Sequence, residues 1–358
     1  MKDLLKRCAV IVGVCSIVAS AAPEVSFGGY LDADVWGDLT GMYYTNSELD
    51  LGMSLKFSDK VSAHVYSTVW SKNGEHQGSI PAGFAPPDER WLAVAFDGFD
   101  ITFDTDYGSF AVGDLVYQFG KFNYYLYKRL SMITAESFAR GLSYSVTSGM
   151  FTGQILAGIS DLNSNTADVQ GVANLAFNES NSLGIYVGMQ NNAMLEMADG
   201  TNFYAGAEFN GAVGEMLSLK FDLGYKKLPG DDGLNIVSVL FEPSLSLGKF
   251  STALTAFYSY DGDDDVVAVV DQFGFGDEMF VYVEPGYSFT DMFAFGLPLE
   301  YHSFDMANED DNQFWAVPTF YIYPTDGVEW WLWGQMIAPL LEDADLGWGV
   351  GSEIIVNF

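Results

Sequence analysis

The feature that most restricts the fold of this chain is a strict alternation of apolar and polar residues. Every second residue is apolar from Leu49 to Phe57, and the same pattern returns from Leu217 to Tyr225. Successive side chains of a β-strand point to opposite faces, so each such segment predicts a strand with one apolar face. Beyond residue 22 the chain has no run of about 18 apolar residues, the length that a transmembrane helix needs. The pattern therefore predicts an all-β fold.

Composition excludes two broad classes of protein. The chain has 15 Lys and Arg against 48 Asp and Glu, which gives a net charge of -33. A chain this acidic repels phosphate backbones, so nucleic acid is excluded as a partner. With 49% hydrophobic residues the chain is also too apolar for an acidic disordered protein. Its 38 Gly and 16% aromatic residues favour many short strands and turns.

Residues 1–21 are predicted to be a cleaved secretory signal peptide. A basic head with Lys2, Lys6 and Arg7 precedes a short apolar stretch, and Ala19-Ser20-Ala21 offers a small-residue cleavage site. Both cysteines, Cys8 and Cys15, lie in this segment, so the mature chain is expected to have no thiol or disulfide. Residues 22–358 are predicted to form a single β-barrel domain.

Turn and loop spacing predicts the number of strands. Short turns on one side alternate with longer loops on the other, which is the layout of a transmembrane up-and-down antiparallel β-barrel. The count gives 18 strands. It depends on Asp97-Gly98 being a β-bulge, because a true turn there would change the count, and 16 strands is the alternative. The turns lie near 58–60, 105–107, 147–150, 178–181, 211–215, 248–249, 290–291 and 325–327, and the loops at 37–46, 71–89, 119–137, 161–168, 191–200, 226–233, 261–278, 305–311 and 339–345.

The C-terminal segment resembles the last strand of Gram-negative outer-membrane proteins. Trp348, Val350, Ile354, Val356 and Phe358 share one face, and an aromatic residue occupies the final position. In that family the barrel-assembly machinery reads this signature. The opening segment VSFGGYLDADVW is similar to the first strand of porins. The resemblance implies a diffusion porin in outer-membrane lipid, with both termini periplasmic, and a homotrimer.

Acidic residues dominate the face that is expected to line the pore. If the apolar positions of each strand face lipid, the other positions face the lumen. Charged residues in such a channel set its ion preference, so the sequence predicts a preference for cations. The predicted pore-lining acids are Asp32, Asp34, Glu48, Asp50, Glu208, Asp222, Glu242, Glu284, Glu300 and Glu329.

Basic residues concentrate near the third long loop. Loop 119–137 contains Lys121, Lys128 and Arg129, and Arg140 follows at the start of the next strand. In porins the third loop folds inward and forms the constriction, so the resemblance implies this role for the loop and its basic residues. Porins usually carry acids on that loop and arginines on the facing wall, whereas here the signs are reversed.

Other chemistries find little support in the sequence. Asp261, Asp263 and Asp265 match the first ligand positions of a calcium loop, but Val266 replaces the required glycine and Gln272 replaces the closing glutamate. No motif ties the three histidines to a nucleophile, and the sequence has no Walker, GxGxxG or HExxH pattern. We therefore expect no cofactor, no metal site and no enzyme.

The function predicted from the sequence is passive diffusion of small hydrophilic solutes and cations through a water-filled channel. One alternative is a substrate-specific channel for sugars, because predicted lumen aromatics such as Tyr321 and Trp331 can stack on sugar rings. A second alternative is a non-conducting structural or adhesion barrel.

Overall fold

The computed structural model of the chain describes most of the segment that follows the predicted signal peptide. The described residues are 23–38, 43–73, 91–119, 135–161, 166–191, 201–227, 235–260, 277–303, 306, 312–340 and 345–358. The signal peptide 1–21, the central part of loop 119–137 and the acidic segment 261–276 lie outside these residues.

The described residues form eighteen antiparallel strands in one sheet, in which each strand pairs with its neighbours in the chain. They are β1 (Glu24–Asp38), β2 (Tyr43–Ser58), β3 (Val61–Asn73), β4 (Trp91–Thr105), β5 (Gly108–Phe119), β6 (Ala135–Ser148), β7 (Phe151–Asp161), β8 (Thr166–Asn178), β9 (Asn181–Asn191), β10 (Thr201–Val213), β11 (Leu217–Lys227), β12 (Asn235–Leu247), β13 (Phe250–Tyr260), β14 (Met279–Ser288), β15 (Phe293–Gly296 continued by Leu299–Ser303), β16 (Gln313–Ala316 continued by Thr319–Thr325), β17 (Val328–Pro339) and β18 (Gly347–Asn357).

Two of these strands are interrupted by proline. Pro298 divides β15 and Pro318 divides β16, since proline has no N–H to donate to the ladder. Pairing nevertheless continues across both breaks, because the Val317 N–H donates to the Pro298 carbonyl at 2.9 Å and the Gly334 N–H donates to the Pro318 carbonyl at 3.0 Å. Each interrupted pair of segments is therefore one strand. The prediction of 18 strands is confirmed, and 16 is not observed.

The predicted irregularity in β4 is a β-bulge. Tyr66 pairs with Gly98 and Ser67 pairs with Phe96, which leaves Asp97 as the extra residue. Gly98 has a φ of 146°, a conformation that favours glycine. The chain continues in the same direction through Asp97-Gly98, so the bulge preserves the strand count while it shifts the face on which the following side chains lie.

The barrel closes where the two ends of the chain meet. β1 pairs with β2 on one side and with β18 on the other. At the seam the Gly29 N–H donates to the Phe358 carbonyl at 2.9 Å, and the Phe358 N–H donates to the Gly29 carbonyl at 3.1 Å. Closure leaves no unpaired sheet edge, which is a requirement for a sheet that lies in lipid.

The outer surface of the barrel is an apolar belt. Phe27, Val94 and Leu142 expose 75%, 71% and 63% of their surface on the outside of the barrel. Each of them belongs to the set of alternate apolar residues on its own strand. The C-terminal residues Trp348, Val350 and Ile354 lie in the same belt. The all-β transmembrane barrel is thereby confirmed as the fold class. No helix among the described residues is long and apolar enough to span a bilayer.

A charged pair interrupts the belt on β5 and β6. Asp114 lies opposite Arg140, and both occupy the outward register of Val112 and Leu142. The Arg140 guanidinium donates to Asp114 through Nε at 2.6 Å and Nη2 at 3.0 Å. The pair lies four residues along the strands from the rings of Phe110 and Tyr144, which contact each other at an angle of 39°. That distance is roughly 10 Å along the barrel axis for tilted strands, so the pair is inside the lipid-facing belt.

We predict that the closing seam does not tolerate a side chain at Gly29. A Cβ there would lie 2.5 Å from Cζ of Phe358 and 2.6 Å from the backbone oxygen of Asp50. Gly29→Ala should lower the free energy of unfolding by about 1–3 kcal/mol through overpacking. Gly52→Ala is the matched control, because its Cβ would meet its nearest atom at 3.6 Å. Urea unfolding in detergent micelles measures both variants, and equal stabilities would contradict the prediction.

A second prediction concerns the Asp114–Arg140 pair. Removing Asp114 alone leaves a guanidinium without its carboxylate in lipid, so Asp114→Ala should lower the urea midpoint more than any other change at this pair. Replacing both residues, by Asp114→Leu with Arg140→Met, should restore the midpoint because neither charge remains. Additive effects of the two single changes would show that the pair is not coupled.

Candidate functional site in the barrel lumen

Carboxylates cluster on the inner wall where β1, β2 and β18 meet. Asp32 lies opposite Glu48, and Asp34 lies opposite Glu353. Asp50 follows on the same face of β2, where the Thr68 hydroxyl lies 2.7 Å from it. Like charges on directly opposite residues repel, so this arrangement is favourable only where cations or water offset it. We call Asp32, Asp34, Glu48, Asp50 and Glu353 the acidic wall.

A second group of carboxylates surrounds Lys220 on β10–β12. Glu208 and Glu242 lie 3.7 Å and 4.0 Å from the Lys220 ammonium. Asp222 lies opposite Glu208 and accepts a hydrogen bond from the Tyr186 hydroxyl at 3.1 Å. One lysine therefore faces three carboxylates, and the group keeps a negative balance.

A buried histidine lies between two glutamates at the loop end of β15. The His302 ring places Nε2 2.6 Å from Glu278 and Nδ1 3.2 Å from Glu300. All three side chains are almost fully buried. Both ring nitrogens therefore lie within hydrogen-bond distance of a carboxyl oxygen. Glu300, one of the predicted pore acids, is thus in contact with His302.

Part of the inner wall is covered. Leu156, Ile236, Leu240, Phe257 and Phe280 point inward, yet at most 2% of their surface is exposed. Apolar alternation predicts that such residues face lipid, so these inward positions were not expected from the sequence. The available signal was the continuous apolar run Ile236–Phe241, which only Ser238 interrupts and which is typical of a strand buried on both faces. The lumen is therefore filled along this side and is not a uniformly open tube.

A cavity of about 440 Å³ opens on the inner wall toward the turn end of β12–β17. Tyr321 and Trp331 form one side, with ring centroids 5.4 Å apart and planes at 85°. Glu284 accepts hydrogen bonds from the Tyr321 hydroxyl at 2.8 Å and from the Tyr282 hydroxyl at 2.5 Å. The opposite side consists of small residues, among them Ser244, Ser246, Ser251, Ala253, Gly286, Ala294 and Gly296. We call this cavity the aromatic pocket.

All ten predicted pore acids lie at inward register positions, which agrees with the alternation of their strands. The structure brings them together in separate groups, and their role in permeation stays a prediction. The expectation that Arg140 lines the pore is wrong. Its neighbour Ala139 faces the covered inner wall, so Arg140 points outward to lipid. Lys121, Lys128 and Arg129 lie outside the described residues, as do Asp261, Asp263 and Asp265.

The described residues contain no group of three or more His, Cys, Asp or Glu side chains arranged to hold a metal ion.

The C-terminal signature residues occupy the predicted face. Val356 and Ile354 lie across from Val328 and Trp330 of β17, and Phe358 ends the strand beside Gly29.

Comparisons with known proteins identify the architecture. No family model matches the chain, and no curated protein matches it. Among solved structures, OpdK of Pseudomonas aeruginosa in complex with vanillate has a TM-score of 0.62 at 10% identity, with 94% of this chain and 98% of that chain covered. A BenF-like porin from Pseudomonas fluorescens Pf-5 also has a TM-score of 0.62 at 10% identity, with 94% of this chain and 98% of that chain covered. OccAB4 of Acinetobacter baumannii has a TM-score of 0.56 at 10% identity, with 95% and 99% covered. At this identity the likeness concerns the fold, and the chain has the 18-stranded barrel fold of these outer-membrane porins.

Proposed function

We propose that the chain is an outer-membrane porin whose partly filled lumen conducts small hydrophilic solutes and prefers cations. The acidic wall is the observation that carries this proposal. Its carboxylates lie on three adjacent strands at facing positions, and the basic residue of the same inner face, Lys56, pairs with Asp59 in the turn at 2.9 Å. The wall therefore keeps its negative charge along most of its height.

Electrostatics in a channel amplify this charge. Low-dielectric walls focus the field of the carboxylates into the water-filled space and raise the local concentration of cations. The attraction is screened over about 8 to 10 Å at physiological salt. Selectivity should thus be strongest at low ionic strength and should fade as salt increases.

Charge also separates this proposal from the alternative of a channel for aromatic acids. The structure of OpdK contains vanillate, a carboxylate. A carboxylate that entered the lumen of the present chain would meet the acidic wall and the three acids around Lys220, and both groups repel it. Neutral and cationic solutes are therefore the favoured class. The aromatic pocket keeps the substrate-specific alternative open, since it offers one localised binding surface inside the lumen.

Further parts of the proposal concern assembly and orientation. We propose that both termini are periplasmic, that the barrel-assembly machinery reads the C-terminal signature and that loop 119–137 forms the constriction. The short turns at one end of the barrel, and the position of Phe358 at the closing seam, support the first two. The homotrimer implied by the family resemblance stays a prediction.

Reversal potentials in a KCl gradient test the ion preference. The wild-type channel should favour K⁺, and Asp32→Asn with Glu48→Gln and Asp50→Asn should reduce the permeability ratio severalfold because the wall loses its charge. The matched control neutralises three exposed turn acids, Glu179→Gln, Asp291→Asn and Asp326→Asn, and it should leave the ratio near the wild-type value. Anion preference of the wild type at low salt would overturn the proposal.

Surface labelling tests the orientation. Epitope tags inserted at 78 and 308 should be accessible to antibody on intact cells, while a tag at Asp59 should become accessible only after the outer membrane is permeabilised. The reverse pattern would place the termini outside.

A further inference from the structure

We propose that the aromatic pocket binds an organic ammonium cation on its way through the lumen. The inference rests on the proposed function for access to the pocket, but the pocket itself is argued from its own residues. The rings of Tyr321 and Trp331, the carboxylates that they contact and the small-residue floor each favour this class of ligand.

Both rings of the pocket donate their polar hydrogen to a carboxylate. The Tyr321 hydroxyl donates to Glu284 at 2.8 Å, and the Trp331 Nε1–H donates to Glu329 at 3.0 Å. Donation to an anion moves electron density into the ring, which makes its face more negative. A cation over such a face is attracted more strongly than over a ring with a neutral partner. The carboxylates thus attract a cation in two ways: directly by their own charge, and indirectly by making the ring faces more negative.

Ring geometry favours a compact cation over a sugar. The planes of Tyr321 and Trp331 stand at 85° to each other in an edge-to-face contact, and the parts of the two faces beside this contact form a corner. A rounded ammonium group can contact both faces of a corner at once. A sugar stacks on one flat ring and gains little from a second ring that stands upright beside it. Both side chains are only half-buried, so the corner is reachable from the lumen.

The floor of the pocket is built to leave this space. Tyr321 reaches Glu284 across β15, where Ala294 lies beside Tyr321 and Gly296 follows. A Cβ on Gly296 would lie 2.9 Å from both Glu284 Oε1 and Tyr321 Cε2, so glycine is needed for this contact. The remaining volume of about 440 Å³ lies in the usual range for small-ligand sites.

Isothermal titration of the purified barrel in detergent micelles tests the proposal with choline as the probe. Its neutral carbon isostere, in which carbon replaces the nitrogen, is the matched ligand. Choline should bind saturably, and the isostere should bind about tenfold more weakly because it lacks the charge. Equal affinities, or no choline binding, would overturn the proposal.

Variants locate the site. Glu329→Gln and Trp331→Phe should each weaken choline binding about three- to tenfold, because the first removes the anion behind the ring and the second replaces indole with a weaker π-face. Trp315→Phe is the matched control, since the Trp315 Nε1–H donates to Gln313, a neutral partner, at 3.0 Å. Heat-modifiable migration in gels establishes that each variant is folded. Unchanged affinity in the first two variants, or an equal loss in the control, would show that choline binds elsewhere.

The binding titration and the conductance measurement test the two proposals separately. Binding in micelles needs no ion flow, so choline binding that responds to these variants supports the pocket even if reversal potentials show anion preference, which would overturn only the proposed function. A cation-preferring channel that does not bind choline would retain the proposed function and overturn the pocket.

Discussion

The structure depends first on the satisfaction of backbone hydrogen bonds in lipid. Hydrocarbon offers neither donor nor acceptor, so every N–H and C=O of a spanning strand must find its partner in the protein. An open sheet would leave two unpaired edges. Here the first and last strands meet, and Gly29 and Phe358 exchange two hydrogen bonds at the seam. The absence of a side chain at Gly29 leaves room for the Phe358 ring at the outer surface of the same joint.

Closure then assigns every side chain to lipid or to the lumen. Because alternate residues point to opposite faces, a carboxylate on the inner register cannot avoid its neighbours on adjacent strands. Asp32 must face Glu48, and Glu208 must face Asp222. The barrel offsets this repulsion in different ways along its wall. Lys220 and His302 each lie beside two carboxylates, whereas the acidic wall has five carboxylates on three adjacent strands.

The covered inner wall and the aromatic pocket give the lumen two unlike sides. Leu156, Ile236 and Phe280 are buried on the inward face of the loop half. Toward the turn end, small residues on β12–β15 leave a concave surface beside Tyr321 and Trp331. Under the proposed function, a solute would meet charge on one side and a shaped aromatic surface on another, which would allow selection among cations that share the same charge.

The sequence by itself predicted 18 strands with 16 as the alternative, an irregularity at Asp97-Gly98 and the inward position of ten acids. These properties follow from local alternation and turn spacing, which depend on neighbouring residues only. Tertiary structure decided what depends on partners distant in the chain. Arg140 meets Asp114 because pairing between β5 and β6, which a long loop connects, sets their register. Ile236 and Leu240 lie on the covered inner wall. Apolar alternation alone cannot predict this, because a covered inner wall and lipid both favour apolar residues. Tyr321 and Glu284 are 37 positions apart in the chain. The closed sheet places their strands on either side of β15, and the small residues of β15 let the two side chains come within hydrogen-bond distance.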